Sequence, residues 1–397
     1  MKRLMSLGGN YFQMTAVKAA KRLGYYVIDV DYLPENPAHQ YADEYHNIST
    51  LDMDRVLALA KKLEIDGIIS YASDVSAPTA AYVAEHLGLP TNPLKSVDLL
   101  THKDQFRSYM NEQGFSHLKT KEIHRKEDVV AFFEEFQKPF MLKPLHASGS
   151  KGVEKITCRA DIDAAYEESM KYAKGAPLWA EEFVQRKGYQ VDGDAFFVDG
   201  KIKFWGIGTQ HRDSAECYVP TGSSFPCQIS PENSEKAKHL VERVAQSLGM
   251  KFGGFNIEFI VTEEDDIFIL EIGPRNGGNL ITDAIAISSG VDLAEYSAKA
   301  AVGDDVSDLE QRPMQRHVTS YLIHSLQDGN FADVKIAEDF PGKILRSDLF
   351  VQPGDFVHRY DNASYGIGAM LIEFDEEKDL LRCMDHMTDY IRVELQA

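Results

Sequence analysis

Long apolar runs are the first thing missing from this 397-residue chain: no window approaches the roughly 18 uninterrupted apolar residues that a membrane-spanning helix needs, so none is expected. Cysteine is scarce. Cys158, Cys217, Cys227 and Cys383 form no C-x-x-C pair and no zinc-type spacing, which points away from a disulfide framework and toward reduced thiols acting as small buried hydrophobes. Basic residues are also in short supply. With 42 Lys and Arg against 62 Asp and Glu, the formal charge is −20, the wrong sign for a partner of the nucleic-acid backbone. The opening MKRLMSLGGN has a basic end but no apolar run of signal-peptide length, so a cytoplasmic protein is expected. No period of about 20 to 50 residues recurs, which sets repeat architectures aside. What remains is ordinary: 44% hydrophobic and 26% charged residues, enough to build two or three globular domains.

The most informative stretch runs from Gly253 to Leu280, GGFNIEFIVTEEDDIFILEIGPRNGGNL. Two segments, Phe255 to Val261 and Ile267 to Ile272, alternate apolar and polar residues around an acidic turn, as a β-hairpin does. Glu258 and Glu271 interrupt otherwise apolar strands. By parity, Glu258 lies opposite Ile257 and Phe259, and Glu271 opposite Leu270 and Ile272. Two carboxylates on one sheet face suit a hard cation such as Mg²⁺, which is commonly held by one or two carboxylates plus the phosphates of its substrate. Arg275 follows in a glycine-rich turn, where a guanidinium can grip a phosphate or carboxylate with two prongs.

Upstream, strand Arg3 to Leu7, turn Gly8-Gly9-Asn10, helix Phe12 to Leu23 and strand Tyr25 to Asp31 read as a βαβ opening. Dinucleotide binding is set aside because G-x-G-x-x-G is absent after Gly9. Strand-end loops at Gly8 to Asn10 and Tyr71 to Asp74 are expected to face one crevice. A helix from Ser96 to Gln113 carries Lys103, and Lys143 interrupts the apolar strand PFMLKP, where a buried ammonium wants a partner. The small-residue loop from His146 to Val153 offers backbone N–H groups to anionic oxygens. Strands Tyr189 to Phe197 and Lys201 to Thr209 form a hairpin about Asp199-Gly200, and helices are expected over 159–174, 233–248 and, broken near Gly290, 281–302. Strands Val318 to His324, Lys343 to Leu349 and Ala369 to Phe374 suggest a β-rich cap. The fold class expected is α/β with α+β parts: an N-terminal parallel α/β domain (1–95), a central lid domain (96–190), a lobe with the metal site (191–312) and the cap (313–397).

The order Asn-Ile-Glu-Phe followed by Leu-Glu-Ile-Gly-Pro-Arg-Asn-Gly-Gly-Asn resembles the ATP-grasp superfamily of carboxylate ligases, with ordered motifs over about residues 1 to 300. The resemblance implies an ADP-forming enzyme that activates a small carboxylic acid as an acyl phosphate for attack by an amine, with ATP and Mg²⁺ or Mn²⁺ bound between two lobes. Under it, Lys103 and Lys143 match the lysines on the α- and β-phosphates. Ser148, Gly149, Ser150 and Gly152 match the loop over the β/γ-phosphates, and Glu181, Glu182, Phe183 and Val184 the hinge that reads adenine. Glu258 and Glu271 match the metal ligands, Arg275 the residue that steadies the transferred phosphoryl group, and Asn279 an acceptor-side contact. Two positions depart from the pattern. Gly188 stands where many members hold the ribose with Glu, leaving Gln190 as the ribose candidate, and Gly273 stands where the metal turn often has Asn, with Asn276 a candidate replacement. His211 or Arg212, in the segment Gln210 to Asp213, is a candidate for binding the acid, against a solvated loop. Small-molecule acid and amine partners are implied, and a homodimer is allowed. Two alternatives stay open: the same fold using bicarbonate, as a carboxylase or carbamoyl-phosphate-type enzyme, and a nucleotide-binding regulator without catalysis.

Overall fold

The computed structural model describes residues 1–145, 151–212 and 219–396. The N-terminal part is a four-stranded parallel sheet in the order Glu44–Asn47, Tyr26–Asp31, Arg3–Leu7, Gly67–Ser70. Its central strands are nearly continuous apolar runs because helices cover both faces; Met5, Leu7, Ile28 and Val30 pack on one side and Leu4, Val27 and Ile69 on the other. The helix Met53–Leu63 starts where the Asp52 side chain accepts the Arg55 N–H.

Instead of one helix from Ser96 to Gln113 there are two, Leu94–Thr101 and Lys103–Glu112, with His102 extended between them. The His102 ring lies 2.8 Å from the Asp98 carbonyl oxygen, the acceptor that a continuing helix would have used. The break puts Lys103 at the start of a new helix aimed at the carboxylate hairpin. A four-stranded antiparallel sheet follows, ordered Thr120–Ile123, Leu178–Glu182, Phe140–Pro144, Glu154–Ile156, and two helices, Lys126–Phe136 and Ile162–Ala173, pack on it through Val129, Phe132, Ile162 and Ala165. The second helix is shorter than expected because Asp161 accepts the Thr157 and Cys158 N–H groups and closes a 3₁₀ turn first. Cys158 is exposed there, against the expectation of burial, while Cys383 is buried.

The rest is built on one antiparallel sheet of eight strands, ordered Ile267–Gly273, Gly253–Val261, Gln190–Val198, Lys201–His211, Gly222–Phe225, His317–Ile323, Gly368–Phe374, Lys343–Leu349. Its first two strands are the hairpin expected from the sequence. Three strands from beyond residue 313 continue the same sheet, and a smaller sheet of Phe356–Val357, Gly329–Ile336 and Ile391–Leu395 lies beside them. Strand parity divides the large sheet into two chemistries. Val191, Ala195, Phe197, Phe255, Ile257 and Phe259 pack against the helix Pro231–Ser247 through Ala237, Val241 and Val244. The intervening residues Gln190, Asp192, Asp194, Asn256 and Glu258 therefore face the other way. Parity fails within the carboxylate hairpin itself. A bulge after Glu258 pairs Phe259 with Ile269, so Ile269 and Ile272 both join the helix-side core and Leu270 is the extra residue. Among the described residues no helix is long and apolar enough to cross a membrane.

Gly193 lets two of these strands meet. Its φ is +142°, and a Cβ there would stand 2.2 Å from the Gly206 carbonyl oxygen on the neighbouring strand. Gly193→Ala is expected to lower the urea midpoint by an amount equivalent to at least about 1–3 kcal/mol, the range for forcing an extra carbon into a packed core. An unchanged midpoint in equilibrium unfolding would mean that the strands do not pack this closely.

Candidate active site

Glu258 and Glu271 are direct cross-strand partners. Like charges in that position repel, and the surroundings show the strain: burial, then Glu271, then Asp192 push the Glu258 carboxyl well above the usual carboxylate range, against the pull of Lys103 and Arg275. Gln190 Nε2 donates to Glu258 at 2.9 Å, and Lys103 Nζ lies 3.9 Å from Glu271. Gln190 thus spends its donor on a metal-ligand candidate. The donors are hard oxygens, and among the described residues no cluster of three or more metal-ligating side chains forms. Two carboxylates whose charge is incompletely neutralised fit a Mg²⁺ that completes its shell with phosphate oxygens and water.

A cationic cluster adjoins this acidic one. Glu181 is buried and accepts from Lys143 Nζ at 3.1 Å and from Arg107 Nε at 2.9 Å. Burial alone would raise its pKa, but the Lys143 and Arg107 charges and their hydrogen bonds hold it at about 2. Lys143 shifts the opposite way in stability terms: burial lowers its pKa, Glu181 only partly opposes this, and Arg107 and Lys103 add repulsion. The difference is one of counting, since Glu181 has two cations beside it and Lys143 has one anion and two cations. Positive charge is in surplus at this end of the cleft, and an anion such as phosphate would relieve it. Arg107 also donates to the carbonyl oxygens of Ile269 and Leu270 at 3.1 and 3.3 Å, the residues at the bulge, where the strand ladder is interrupted.

The rest of the hinge segment is tied to its neighbours. Glu182 N–H bonds the Lys119 carbonyl oxygen and Phe183 N–H that of Pro139, while Lys155 Nζ sits 3.6 Å from the Phe183 ring centroid. Val184 is partly exposed beyond them. Gly152 packs where a Cβ would be 2.8 Å from the Tyr172 ring, and its carbonyl accepts from Ser169. Ser148, Gly149 and Ser150 lie outside the described residues, as does Asp213.

Arg275 is gripped from the N-terminal part of the chain: its Nε and one Nη donate to the two oxygens of Asp74 at 2.8 and 2.5 Å. Burial alone would lower its pKa, and Asp74 more than offsets this, so the guanidinium stays charged. Asn276 does not take the place of a metal-turn Asn. Its amide donates to Asp194 at 2.8 Å and accepts from Ser297 at 2.5 Å, so both its nitrogen and its oxygen are engaged in the interior. Asn279, partly exposed, has a left-handed φ of 51° just before the helix Ile281–Ser289.

Behind the carboxylate pair, Asp194 accepts from Asn256, Asn276 and Gly277 N–H, yet burial still raises its pKa to about 6. Asp192 is raised by burial to about 7, against donors from Ser223 and Gln210. Arg212 donates to the carbonyl oxygens of both Gln190 and Gln210, which turns each glutamine's NH₂ toward a carboxylate. Its neighbour His211 is buried at the end of its strand with Nε2 3.1 Å from Thr319 Oγ1, so neither a solvated loop nor an open acid-binding histidine describes it.

Residues 136–283 match the model of the ATP-grasp domain. That segment is an ATP-grasp domain. An L-amino acid ligase from Bacillus licheniformis superposes on this chain with a TM-score of 0.82 at 19% identity, covering 100% of this chain and 99% of its own, which shows the fold. The formate-dependent phosphoribosylglycinamide formyltransferase of Burkholderia pseudomallei (strain 668) is 27% identical over 414 residues, covering 94% of this chain and 92% of the relative. The carbamoyl phosphate synthase arginine-specific large chain of Bacillus subtilis is 23% identical over 345 residues, 83% of this chain but only 32% of that relative's length.

Four residues that the structure brings into this candidate site were not singled out in the sequence. Arg107 follows Lys103 by four positions, one helical turn on the same face. Asp192 and Asp194 continue from Gln190 at every second position of one strand. Asp74 carried no comparable local signal beyond its place in a strand-end loop.

The Glu181 cluster makes a pH-dependent prediction. The folded-state pKa of Glu181 lies below its ordinary 4.5, so its stabilisation is present above about pH 4.5 and is lost as pH falls toward 2. Glu181→Gln is expected to cost about 3–5 kcal/mol near neutrality, as when one partner of a buried pair is removed. In urea titrations the gap from the unsubstituted protein should stay constant between about pH 8 and 5 and narrow below. A gap that widens on acidification would contradict the charge cluster.

Proposed function

We propose that this chain is an ADP-forming ligase that activates a small carboxylic acid as an acyl phosphate and passes the acyl group to an amine. The observation that carries the reading is the side-by-side placement of a cation-rich end, Lys103, Lys143 and Arg107, and a carboxylate pair, Glu258 and Glu271, with Arg275 close enough to the two carboxylates to act on their charge. A polyphosphate with a bound divalent cation has the complementary pattern of charge. The family match and the likeness to an L-amino acid ligase support the same conclusion.

The chemistry asks the protein to neutralise charge that grows on the transferring phosphoryl group. Lys143 and Lys103 would hold the phosphates that stay behind, and Mg²⁺ bound at Glu258 and Glu271 would supply Lewis acidity to the phosphate oxygens. Arg275, buried and permanently charged, would stabilise the transferring group without reorganising. The carboxylate oxygen of the acid attacks the γ-phosphorus, ADP leaves, and the amine nitrogen then attacks the acyl carbon and expels phosphate. Glu181 to Val184 would receive the adenine and Asn279 would face the acceptor. The relative named as a carbamoyl phosphate synthase favours a second reading, in which the acid is bicarbonate.

Screening acids and amines for ADP release tests the proposal, with hydroxylamine replacing the amine. An organic acid substrate should give its hydroxamate, and Arg275→Ala should lose that product by about 10²-fold or more, the scale for one preorganised charge-stabilising donor. ADP release with bicarbonate and no hydroxamate from any organic acid would favour the second reading. Neither product across a broad panel would leave a nucleotide-binding regulator. Glu271→Gln should lower turnover far more than it weakens nucleotide binding, because Lys103 and Lys143 remain; near-normal turnover in that variant would remove Glu271 from the metal site.

A further inference from the structure

Arg275 has five N–H donors, and three of them are spoken for: two bond Asp74 and one bonds the Asn276 carbonyl oxygen at 3.2 Å. Two are left to point elsewhere. The partner that takes the most, Asp74, is 201 residues away in sequence and belongs to the N-terminal domain, in the turn that follows the strand Gly67–Ser70. This is no loose surface acid. Ser70 Oγ donates to the Ser73 carbonyl oxygen at 2.7 Å and lies 2.7 Å from Ser76 Oγ, which pins both sides of the turn. Tyr71 is buried with its hydroxyl 2.5 Å from Thr282 on the helix that follows Arg275 in the chain. The turn carrying Asp74 and the turn carrying Arg275 are thereby fixed to each other independently of the ion pair.

A two-pronged carboxylate contact does more than neutralise charge. It sets the plane of the guanidinium and removes the rotamer freedom that a long side chain would otherwise lose on meeting its substrate. Preorganisation of this kind is what makes a charged donor effective toward a developing transition state. The Arg275 side chain is only 10% exposed, whereas that of Asp74 is 28% exposed, so the arginine is the enclosed member and the aspartate is the one that reaches in from the other domain.

We propose that Asp74 is the positioning residue for Arg275, so that the N-terminal domain contributes to phosphoryl transfer by fixing the orientation of a group on the ATP-grasp lobe. This rests on the reading of Arg275 as a contact to the transferred phosphoryl group. An ion pair that only joined the domains would alter the melting temperature and nothing else. A positioning role changes how well the protein distinguishes a nucleotide with a γ-phosphoryl group from one without.

Calorimetric titration of the full-length protein with Mg-ADP and with the Mg complex of the β,γ-imido analogue of ATP measures that distinction, and it requires no knowledge of the acid or amine. Arg275→Ala is expected to shift the ratio of the two affinities by about tenfold, as for loss of a charged hydrogen bond. Asp74→Asn should shift it in the same direction by at least about threefold, with ADP affinity within about twofold of the unsubstituted protein. In the Arg275→Ala background it should do nothing further, because residues acting through one another are not additive. ADP affinity also reports that each variant is folded. Should the neutral variant not fold, Asp74→Glu, which keeps the charge, is expected to hold the ratio within about threefold of the unsubstituted value. The proposal is overturned if Asp74→Asn leaves the ratio unchanged, if the two substitutions multiply, or if Asp74→Glu behaves like Arg275→Ala. An Arg275→Ala variant with an unaltered ratio would remove the phosphoryl role of Arg275 and the proposal with it. Failure of the ligase reading is seen separately, in the absence of ADP and hydroxamate from the unsubstituted protein.

Discussion

Two carboxylates facing one another across neighbouring strands, Glu258 and Glu271, are an arrangement that a sheet would ordinarily avoid. Much of the surrounding structure can be understood as the answer to that repulsion. Lys103 comes to the edge of the pair from a helix that has been broken at His102 to aim it there. Gln190 brings an amide to Glu258, and Arg212 keeps that amide turned the right way. These contacts reduce the repulsion without removing it. Under the proposed function, the remaining imbalance is what would draw a divalent cation to the pair, and a fully neutralised site would draw none.

The cationic side follows the same logic with the sign reversed. Arg107 is 2% exposed, and its guanidinium joins three separate parts of the chain: its own helix, Glu181 on the hinge strand, and the carbonyl oxygens at the bulge of the carboxylate hairpin. A lysine could not do this, because the task needs several donors held in a fixed plane. The bulge therefore has two effects. It restores the apolar parity of Ile269 and Ile272 toward the core, and it frees backbone acceptors through which Arg107 ties the strand of Glu181 to the carboxylate hairpin.

How much of this was legible in the sequence depends on the range of the interaction. The hairpin, the pairing of its glutamates and the break near Gly290 follow from local alternation and glycine punctuation, and they stand in the structure. So does the parallel opening sheet. The single long helix over Ser96 to Gln113 does not, because a histidine side chain competing for one carbonyl leaves no trace in hydrophobic periodicity. Leu270 and Ile272 were expected on the same face, and a bulge of one residue defeats any argument from strict alternation. Asn276 looked like a ligand because its neighbours did, yet its side chain turns inward to Asp194 and Ser297. Asp74 shows the limit most plainly. Its partner is 201 residues away, and its own surroundings place it in a strand-end loop without marking it there.

The sheet that carries the site is completed late in the chain. Ser223, which donates to Asp192, sits on the short strand Gly222–Phe225, and the other edge of that strand is covered by His317–Ile323, which pairs in turn with Gly368–Phe374. During synthesis the strands around Glu258 leave the ribosome well before these partners. Domains begin to fold from the N-terminal side while elongation continues, so for a time the nascent lobe presents an open strand edge, the kind of edge that recruits foreign strands. Occupation of the site by a nucleotide during that interval would have to act on a half-built sheet. Strands that follow residue 313 thus close the sheet that carries the candidate site, and a chain halted before His317 is expected to leave the edge of Gly222–Phe225 open.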